Sequence, residues 1–338
     1  MRKQHDVVFY EAFKEEEAIL RAVLPEGHSY LFTWQTIQES GHDSPPGRIV
    51  SVRTQSRMPL DWAAQIDGII TRSTGYDHVS DYLSRCGIPL KAAYLPEYAA
   101  RAVAEQAMIL WSSCLRFVKQ QQRSFSSFHR DDLTGHEIKG RAIVVAGVGR
   151  IGSQIVDIAH GLGMTPIGID LKPNPALERK YGLKYMPWNE ALPLADVLAC
   201  ALPLTSTTKN LIDANMLSKI KKGAVFVNVG RGEISPSEDL LPLLESGALS
   251  GVGLDVYDHE KEVAAVLRDG AALASVPDNA RRGVEAVLKL HEHPRAILTP
   301  HNAFNTVESV ERKSRETAAN LSAYFASGEF LSPVSSAK

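Results

Sequence analysis

The sequence has few cysteines and almost no excess of charge of either sign, and each shortage excludes a class of protein. Its 338 residues include three cysteines, Cys86, Cys114 and Cys200, which are too few and too far apart for a disulfide framework or a zinc site. The formal net charge is −2, so no overall positive field attracts nucleic acid. No run of about 18 apolar residues is present, and residues 1–9 lack the apolar segment of a signal peptide. We therefore expect a cytoplasmic protein with reduced thiols, no bound metal, and neither nucleic acid nor membrane as a partner.

The order of strand-like and helix-like segments predicts an α/β protein. A length of 338 residues favours two domains. Apolar runs alternate with segments of helical spacing along the whole chain, which predicts parallel sheets with helices on both faces. The predicted strands cover residues 7–9, 30–32, 67–71, 90–93, 141–146, 165–169, 196–201, 224–229, 251–256 and 296–299. A long helix is predicted over residues 99–120, and a last helix over 307–326 is expected to return to the first domain and make it discontinuous.

Residues 147–152, Gly-Val-Gly-Arg-Ile-Gly, stand between a predicted strand and a predicted helix. A Gly-x-Gly-x-x-Gly turn in this setting is the fingerprint of a dinucleotide-binding unit. Gly147 permits the tight turn, Gly149 lets the backbone approach a pyrophosphate, and Gly152 lets the helix pack close to the strand. The pyrophosphate is expected at the helix N-terminus, where free N–H groups and the helix dipole favour negative charge. A glycine turn that only packs a helix on a strand is the structural alternative.

Asp170 stands at the tip of the next predicted strand, about 20 residues after the glycine turn. Its carboxylate is expected to accept hydrogen bonds from the adenosine ribose hydroxyls and to repel a 2′-phosphate. This predicts NAD rather than NADP as the cofactor. Lys172 lies close enough to weaken that preference without reversing it.

Four polar residues lie at or shortly after the ends of later predicted strands, where ligands bind in open parallel sheets: Arg231, Asp255, Glu260 and His301. An arginine can bind a carboxylate in bidentate fashion and polarise the adjacent carbonyl. A histidine exchanges a proton near neutral pH. A carboxylate beside that histidine holds its ring and favours its charged form. The set suits hydride transfer to a 2-keto acid.

Each of these four residues also has an ordinary structural interpretation. Arg231 could pair with a surface acid, His301 could be a loop histidine, and Glu260 could be a surface carboxylate. Asp255 could cap a helix. Residues 290–294, Leu-His-Glu-His-Pro, have metal-like spacing but no further ligands nearby, so we interpret the two histidines as exposed helix-end residues.

With these motifs the chain resembles the D-isomer-specific 2-hydroxyacid dehydrogenases, and within them the D-lactate dehydrogenase branch. The resemblance covers residues 67–329 and rests on residues 147–152, on Asn-Val-Gly-Arg-Gly at 228–232, on Gly-Leu-Asp-Val-Tyr at 253–257 and on Thr-Pro-His-Asn-Ala-Phe at 299–304. It implies an NAD-dependent enzyme that reduces pyruvate to D-lactate. In that enzyme His301 would act as acid/base, Arg231 would bind the carboxylate and carbonyl, and Glu260 would tune His301.

The resemblance also implies the other contacts and the division of the chain. The implied NAD contacts are Gly147, Gly149, Arg150, Ile151, Gly152, Asp170, Leu202, Pro203, Thr208, Val229, Gly230 and Asp255. The implied substrate contacts, besides Arg231 and His301, are Thr74, Gly75, Tyr98 and Phe304. Residues 1–104 and 304–338 are expected to form a discontinuous, flavodoxin-like substrate-binding domain, and residues 105–303 a Rossmann NAD-binding domain. Two copies are expected to form a homodimer through the NAD-binding domain.

Three features depart from the family pattern. Gly230 replaces the usual serine or alanine, which we expect to loosen its loop slightly. Gln106 stands where histidine is common. Residues 263–294 form a longer segment than in most relatives, and its helical patterning suggests a lid or an interface helix.

Other functions on the same fold stay open. Related dehydrogenases act on glyoxylate or glycerate, on phosphoglycerate or on phosphite, and a phosphorylated substrate would need basic residues such as Arg53, Arg57 and Arg101. The fold also serves NAD-sensing corepressors, which are binding proteins, although those usually have long disordered flanks.

Overall fold

A computed structural model of the protein describes residues 4–334. The chain forms two compact units. The first unit comprises Met1–Ala99 and Asn305–Lys338, and the second comprises Ala100–Phe304. The first unit is therefore discontinuous, and the second begins at residue 100 rather than at the expected residue 105. The assignment of the first unit to substrate binding stays a prediction.

The strands within residues 4–334 are two to six residues long. They are β1 His5–Phe9, β2 Tyr30–Phe32, β3 Gly47–Val52, β4 Gly68–Thr71, β5 Lys91–Ala93, β6 Ala142–Ala146, β7 Thr165–Ile169, β8 Lys184–Tyr185, β9 Val197–Cys200, β10 Ala224–Asn228, β11 Leu249–Leu254 and β12 Ala296–Leu298. The central strands are apolar without alternation, because helices cover both faces of a parallel sheet. Every residue of β9 and β10 is buried.

The helices of the same residues connect successive parallel strands or pack against the sheets. They are α1 Lys14–Val23, α2 Ile37–Ser40, α3 Asp77–Cys86, α4 Ala100–Leu115, α5 Val118–Ser124, α6 Arg150–Gly161, α7 Pro175–Tyr181, α8 Trp188–Ala191, α9 Ala214–Leu217, α10 Ser237–Glu245, α11 Glu260–Leu267, α12 Asp278–Glu292 and α13 Val307–Ser327. Short 3-10 helices lie at Leu60–Gln65, Leu192–Leu194, Gly232–Ile234 and Leu273–Ser275. None of the helices described in residues 4–334 combines the length and the hydrophobicity of a membrane span.

The first unit is built on a five-stranded parallel sheet with the order β2-β1-β3-β4-β5. This is the flavodoxin-like order. Strand β3 was missed by the sequence analysis although it lies between β1 and β4. Arg48 and Ser51 interrupt the apolar run of this strand. Ser51 can still be fully buried, because its hydroxyl accepts a hydrogen bond from the Arg72 guanidinium at 2.8 Å.

The second unit is built on a seven-stranded parallel sheet with the order β12-β11-β10-β9-β6-β7-β8. Counted from β6, this is the Rossmann order with one additional strand. The direction of winding reverses between β6 and β9, where ligands bind in sheets of this type. The predicted fold class, α/β with a Rossmann domain and a flavodoxin-like domain, is confirmed.

The single helix predicted over residues 99–120 is wrong, because the chain forms two helices there. Helix α4 ends at Leu115, and α5 begins at Val118 after Phe117 adopts a left-handed conformation with φ of 52°. The Leu115 carbonyl accepts a hydrogen bond from the His136 N–H at 2.8 Å instead of from a further helical turn. A later segment of the chain therefore ends the helix, which no local pattern around residue 117 reveals.

Within the segment 263–294, helix α12 is part of the core of the second unit, whereas residues 264–275 are exposed or half-buried. A role of this segment as a lid or an interface stays a prediction. Helix α12 buries Val284, Val287 and Leu290 in the same apolar cluster as the strands β10 and β11. Its apolar residues recur at helical spacing because one face of the helix covers the sheet.

Three charged side chains are fully buried together in the first unit, where α13 packs on α1. The Glu16 carboxylate accepts a hydrogen bond from Arg72 Nε at 2.9 Å and lies 2.8 Å from Lys313 Nζ, and all three side chains have an exposure of 0%. Burial would raise the pKa of Glu16, but the charges of Arg72 and Lys313 outweigh burial and lower that pKa to about 2. The carboxylate therefore holds two buried cations in place.

We expect Glu16→Gln to lower the free energy of unfolding by about 3–5 kcal/mol at pH 7, because it leaves the buried Arg72 guanidinium without its anion and makes Lys313, whose pKa burial already lowers to about 7, lose its proton. The control is Glu17→Gln on the same helix, whose exposed pair with Arg21 at 2.7 Å should contribute at most about 0.5 kcal/mol. Urea unfolding measures both variants. Glu16 stabilises the fold above its unfolded pKa near 4.5 and ceases to do so as the pH falls through about 2, so the difference from wild type should shrink in acid. Equal losses in both variants would contradict this assignment.

Candidate active site

The predicted glycine turn connects β6 to α6, and two of its three glycines cannot be replaced without moving the backbone. Gly147 has a φ of 88°, and a Cβ there would lie 2.9 Å from the Ala201 carbonyl oxygen. A Cβ on Gly152 would lie 1.9 Å from the Gly147 carbonyl oxygen, so this glycine lets the helix start directly against the turn. A Cβ on Gly149 would meet no atom within 4 Å, so this glycine faces open space. That difference suits a turn whose middle glycine leaves room for a ligand.

The Asp170 carboxylate lies against the same turn. Its Oδ2 accepts a hydrogen bond from the Val148 N–H at 2.8 Å, and its Oδ1 accepts one from the Lys172 N–H at 2.8 Å. Helix α6 has no side-chain cap at its N-terminus, where Arg150 is exposed and Ile151 is half-buried. A helix N-terminus favours an anion, because its first N–H groups have no acceptor within the helix and the helix dipole is positive there.

The loops after β9 and β10 pack against each other beside the glycine turn. In the first loop the Thr208 hydroxyl donates to the Pro203 carbonyl at 2.6 Å. In the second loop Val229 and Gly230 are buried, and a Cβ on Gly230 would lie 2.7 Å from the Leu202 carbonyl oxygen. Gly230 therefore permits close packing of the two loops, which differs from the loosening that the sequence suggested.

Arg231 follows β10 in a loop that is held by buried polar contacts. The Asn228 amide donates to the Arg231 carbonyl at 2.9 Å and to the Ser235 hydroxyl at 2.9 Å. The half-buried Arg231 guanidinium donates through NH1 to the Gly230 carbonyl at 2.9 Å. The arginine backbone is thus fixed at the carboxyl end of the sheet.

His301 and Glu260 form a direct pair. The His301 Nδ1 lies 2.8 Å and 2.9 Å from the two Glu260 carboxylate oxygens, and the two side chains are 28% and 34% exposed. Glu260 is the first residue of α11, where a helix start favours a negative side chain. His301 has a φ of 51°, so its turn needs support from the surrounding residues.

Asp255 supplies that support. Its Oδ1 accepts hydrogen bonds from the Thr299 hydroxyl at 2.5 Å and from the Asn302 N–H at 2.9 Å, and its Oδ2 accepts one from the Ala303 N–H at 2.9 Å. Burial raises the pKa of the Asp255 carboxyl, although these three donors oppose the rise. Asp255 therefore fixes the backbone on both sides of His301 rather than capping a helix.

Two residues to which the sequence assigned no role, Gln106 and Tyr257, extend this support. The Gln106 amide donates to the Thr299 hydroxyl at 3.3 Å, and the Tyr257 hydroxyl donates to the Thr299 carbonyl at 2.7 Å. Thr299 directly precedes Pro-His, and Gln106 lies on α4, which packs against β12.

The substrate residues predicted in the first unit follow β4 and β5. The turn that contains the half-buried Thr74 and Gly75 is closed by a hydrogen bond from the Ser73 hydroxyl to the Gly75 carbonyl at 2.7 Å. The Tyr98 ring is 5% exposed, and the Tyr98 carbonyl accepts a hydrogen bond from the Arg312 Nε at 3.0 Å. Phe304, the last residue of the second unit, is half-buried.

Residues 290–294 do not assemble a metal site. The His293 Nδ1 accepts a hydrogen bond from the Arg295 N–H at 3.2 Å, and the His291 Nε2 lies 3.8 Å from the Glu292 carboxylate. Within residues 4–334, no group of three or more His, Cys, Asp or Glu side chains is arranged to hold a metal ion.

Comparison with known proteins identifies the family to which this chain belongs. The sequence model of the D-isomer specific 2-hydroxyacid dehydrogenase NAD binding domain matches residues 107–303, which is more than half of the chain. The chain belongs to the D-isomer-specific 2-hydroxyacid dehydrogenase family. As a member of this family it is an oxidoreductase that acts on CH–OH groups with NAD as its cofactor, and the predicted enzyme class and cofactor are confirmed.

Individual members of the family are similar over most of their length. The 2-hydroxyacid dehydrogenase homolog 1 of Schizosaccharomyces pombe is 30% identical over 260 residues, which are 75% of this chain and 74% of that protein. The D-lactate dehydrogenase of Treponema pallidum is 28% identical over 257 residues, 74% of this chain and 72% of that protein. The structure of D-lactate dehydrogenase from Aquifex aeolicus with NAD and lactic acid has the same fold, with a TM-score of 0.81 at 23% identity over 98% of this chain and 100% of that one.

The residues at the switch point of this dehydrogenase fit NAD. The open face of Gly149 and the uncapped start of α6 suit a pyrophosphate, and the Asp170 carboxylate beside Val148 suits the adenosine ribose. The assignment of individual contacts, including Leu202, Pro203, Thr208 and Val229, stays a prediction.

Substitutions at Gly149 and Gly152 of the turn and at Gly161 of α6 test folding and cofactor binding separately. Gly149→Ala should leave the melting temperature within about 2 °C of wild type, because its Cβ would meet no atom of the protein within 4 Å, and should weaken NADH binding at least about tenfold, because the Cβ would enter the space in which we expect the pyrophosphate. Gly152→Ala should lower the melting temperature, because its Cβ cannot fit beside the Gly147 carbonyl. Gly161→Ala, in the last turn of α6, is the control; it should leave NADH affinity unchanged and should not lower the melting temperature, because alanine favours the helix and its Cβ meets no atom within 4 Å. Thermal unfolding and NADH fluorescence titration measure both, and wild-type NADH affinity in Gly149→Ala would refute the assignment.

Proposed function

We propose that the protein reduces a 2-keto acid to the D-2-hydroxy acid with NADH, and that pyruvate, reduced to D-lactate, is the first substrate to test. The observation that supports this best is the His301–Glu260 pair at 2.8 Å, on the same sheet edge as the Arg231 loop. An acid/base histidine with a carboxylate orienter is the arrangement that proton transfer to a developing alkoxide requires.

In this proposal the bound nicotinamide supplies the hydride, and the residues of this chain handle charge and protons. Because His301 directs Nδ1 at Glu260, its Nε2 is the nitrogen that exchanges a proton with the substrate oxygen. Arg231 binds the substrate carboxylate and polarises the carbonyl. Thr74, Gly75, Tyr98 and Phe304 are the further proposed substrate contacts.

The choice of pyruvate is supported by the D-lactate dehydrogenases among the similar proteins, at 27% identity in Curvularia clavata and 28% in Treponema pallidum. NADH oxidation with pyruvate, glyoxylate, hydroxypyruvate and 2-ketoisocaproate distinguishes the related enzymes. The absence of turnover with every 2-keto acid, together with intact NADH binding, would favour an NAD-sensing binding protein instead.

We also propose a cytoplasmic homodimer. The three cysteines are free thiols, as in proteins of reducing compartments. In the second unit Ile109, Phe125 and Phe128 are exposed at 48%, 75% and 77%, which supports association through this unit. Sedimentation equilibrium measures the oligomeric state.

We expect His301→Ala to lower kcat by at least about a thousandfold while NADH binds nearly as tightly as in wild type, because the substitution removes the proton donor and leaves the glycine turn intact. Stopped-flow kinetics and NADH titration give the two values. His291→Ala, on the end of α12, is the control and should behave as wild type. Near-normal turnover in His301→Ala would exclude the proposed role.

Glu260→Gln should retain a hydrogen-bond acceptor for His301 but replace the charged partner of Nδ1, whose two oxygens lie 2.8 Å and 2.9 Å away, by a neutral amide. We expect kcat to fall by about ten- to a hundredfold, because a charge-assisted hydrogen bond holds the ring more firmly than a neutral one. Steady-state kinetics measure kcat. Wild-type turnover in Glu260→Gln would show that this carboxylate is not needed for the reaction.

A further inference from the structure

The turn between β4 and α3 keeps three of its backbone carbonyls bonded to the protein. The Ser73 carbonyl accepts a hydrogen bond from the Leu95 N–H at 3.1 Å, and the Tyr76 carbonyl accepts two from N–H groups of α3 at 3.0 Å and 2.9 Å. The Gly75 carbonyl, in contrast, is held by a side chain, because it accepts the hydrogen bond of the Ser73 hydroxyl at 2.7 Å. The orientation of this peptide group therefore depends on the Ser73 side chain.

The Ser73 hydroxyl is the end of a row of three hydrogen-bonded side chains. The Thr71 hydroxyl lies 2.6 Å from the Ser73 hydroxyl and 3.1 Å from the His78 Nε2. Thr71 is the last residue of β4 and His78 lies in the first turn of α3, so the row joins the strand and the helix on either side of the turn. Thr71 is fully buried and Ser73 is 7% exposed, so little solvent reaches these hydroxyl groups.

The number of available protons fixes the direction of every bond in this row. The Gly75 carbonyl has no proton to give, so the single proton of the Ser73 hydroxyl lies in the bond to that carbonyl. Thr71 must then donate to Ser73, which uses the only proton of the Thr71 hydroxyl. The other bond of the Thr71 oxygen needs a donor, and the His78 Nε2 is that donor. His78 therefore carries a proton on Nε2 in both its neutral and its charged form.

A buried row of this kind stabilises one orientation of the Gly75 peptide group, because hydrogen bonds in a chain polarise and strengthen one another. While the Gly75 carbonyl stays bonded to Ser73, its lone pairs are kept away from a carboxylate that the N–H groups of Thr74 and Gly75 bind. Successive N–H groups of a turn bind anions in this way. Without the Ser73 donor the carbonyl loses its partner and the peptide group is free to turn, which weakens binding of the carboxylate.

We propose that His78, Thr71 and Ser73 are positioning residues for the substrate carboxylate. His78 supplies the first donor of the row, and Ser73 transmits the constraint to the turn that carries the N–H groups of Thr74 and Gly75. The inference rests on the proposed reduction of a 2-keto acid and on the proposed substrate contacts of this turn. It assigns a role in substrate binding to side chains that do not touch the substrate.

Steady-state kinetics with NADH and the 2-keto acid of highest turnover test the proposal. Ser73→Ala and His78→Phe should raise KM by about five- to fiftyfold and keep kcat within about threefold, because the carboxylate is bound equally in the ground state and the transition state. His78→Gln restores an N–H donor near the position of Nε2 and should bring KM closer to that of the wild type. Ser84→Ala, whose hydroxyl donates to the Asp81 carbonyl within α3 at 2.7 Å, is the matched control for Ser73→Ala and should keep the wild-type KM.

Wild-type KM in Ser73→Ala, or a KM in His78→Gln as high as in His78→Phe, would overturn the proposal. Thermal unfolding verifies that the variants are folded, and NADH titration should give the wild-type affinity in each. If the wild type reduces a 2-keto acid and all variants behave like it, the inference fails and the proposed function stands. If no 2-keto acid is reduced, both fail.

The proton on the His78 Nε2 can be measured without turnover. Two-bond ¹H–¹⁵N NMR spectra of histidine-labelled protein distinguish the two neutral tautomers, and the His78 signal is the one that disappears in His78→Gln. We expect a proton on Nε2 at about pH 8, where an ordinary histidine is neutral. A proton on Nδ1 alone would contradict the direction of the row and overturn the proposal.

Discussion

The parallel arrangement of every strand in both sheets is the constraint on which the functional parts of this protein depend. In a parallel sheet all carboxyl ends lie on one edge, so loops that are far apart in sequence become neighbours. In the second unit this edge brings together the glycine turn after β6, the Leu202 loop after β9 and the Arg231 loop after β10. His301 joins the same edge through β12. The site is therefore a consequence of sheet topology, and each loop adds one chemical group to it.

The two units use buried charge in different ways. In the second unit the buried Asp255 carboxylate is matched by three neutral donors that all belong to the His301 turn, so its charge is used to fix a backbone. In the first unit the Glu16 carboxylate is shared by two buried cations. A carboxylate with enough donors rigidifies its surroundings, whereas a carboxylate shared by two cations joins the elements that carry them. The first arrangement suits a group that must stay in place during proton transfer. The second ties α1 and α13 to the residue that follows β4.

Much of the fold and of the second unit's site could be predicted because the signals are local. The strand, glycine turn, helix and Asp170 follow one another within about 30 residues, as the βαβ unit requires. Arg231 and His301 could be placed because each lies three residues after the end of an apolar strand. What could not be predicted depends on contacts between distant segments. Strand β3 is interrupted by Ser51, whose burial depends on Arg72, and the end of α4 depends on the His136 N–H. Lys313 is polar in sequence, and only the packing of α13 on α1 buries it.

The loops of the two units differ in how much their side chains can vary. The groups proposed for proton transfer and NAD binding belong to the second unit, where glycines and buried hydrogen bonds leave little freedom to vary. A Cβ on Gly232, for example, would lie 1.8 Å from the Tyr257 carbonyl carbon, so the loop that carries Arg231 tolerates no larger residue there. In the first unit the loop after β3 is held through three of its backbone N–H groups by Glu11, so its conformation depends less on the side chains that it carries. A change of side chain in that loop therefore disturbs the fold less than a change in the loop that carries Arg231.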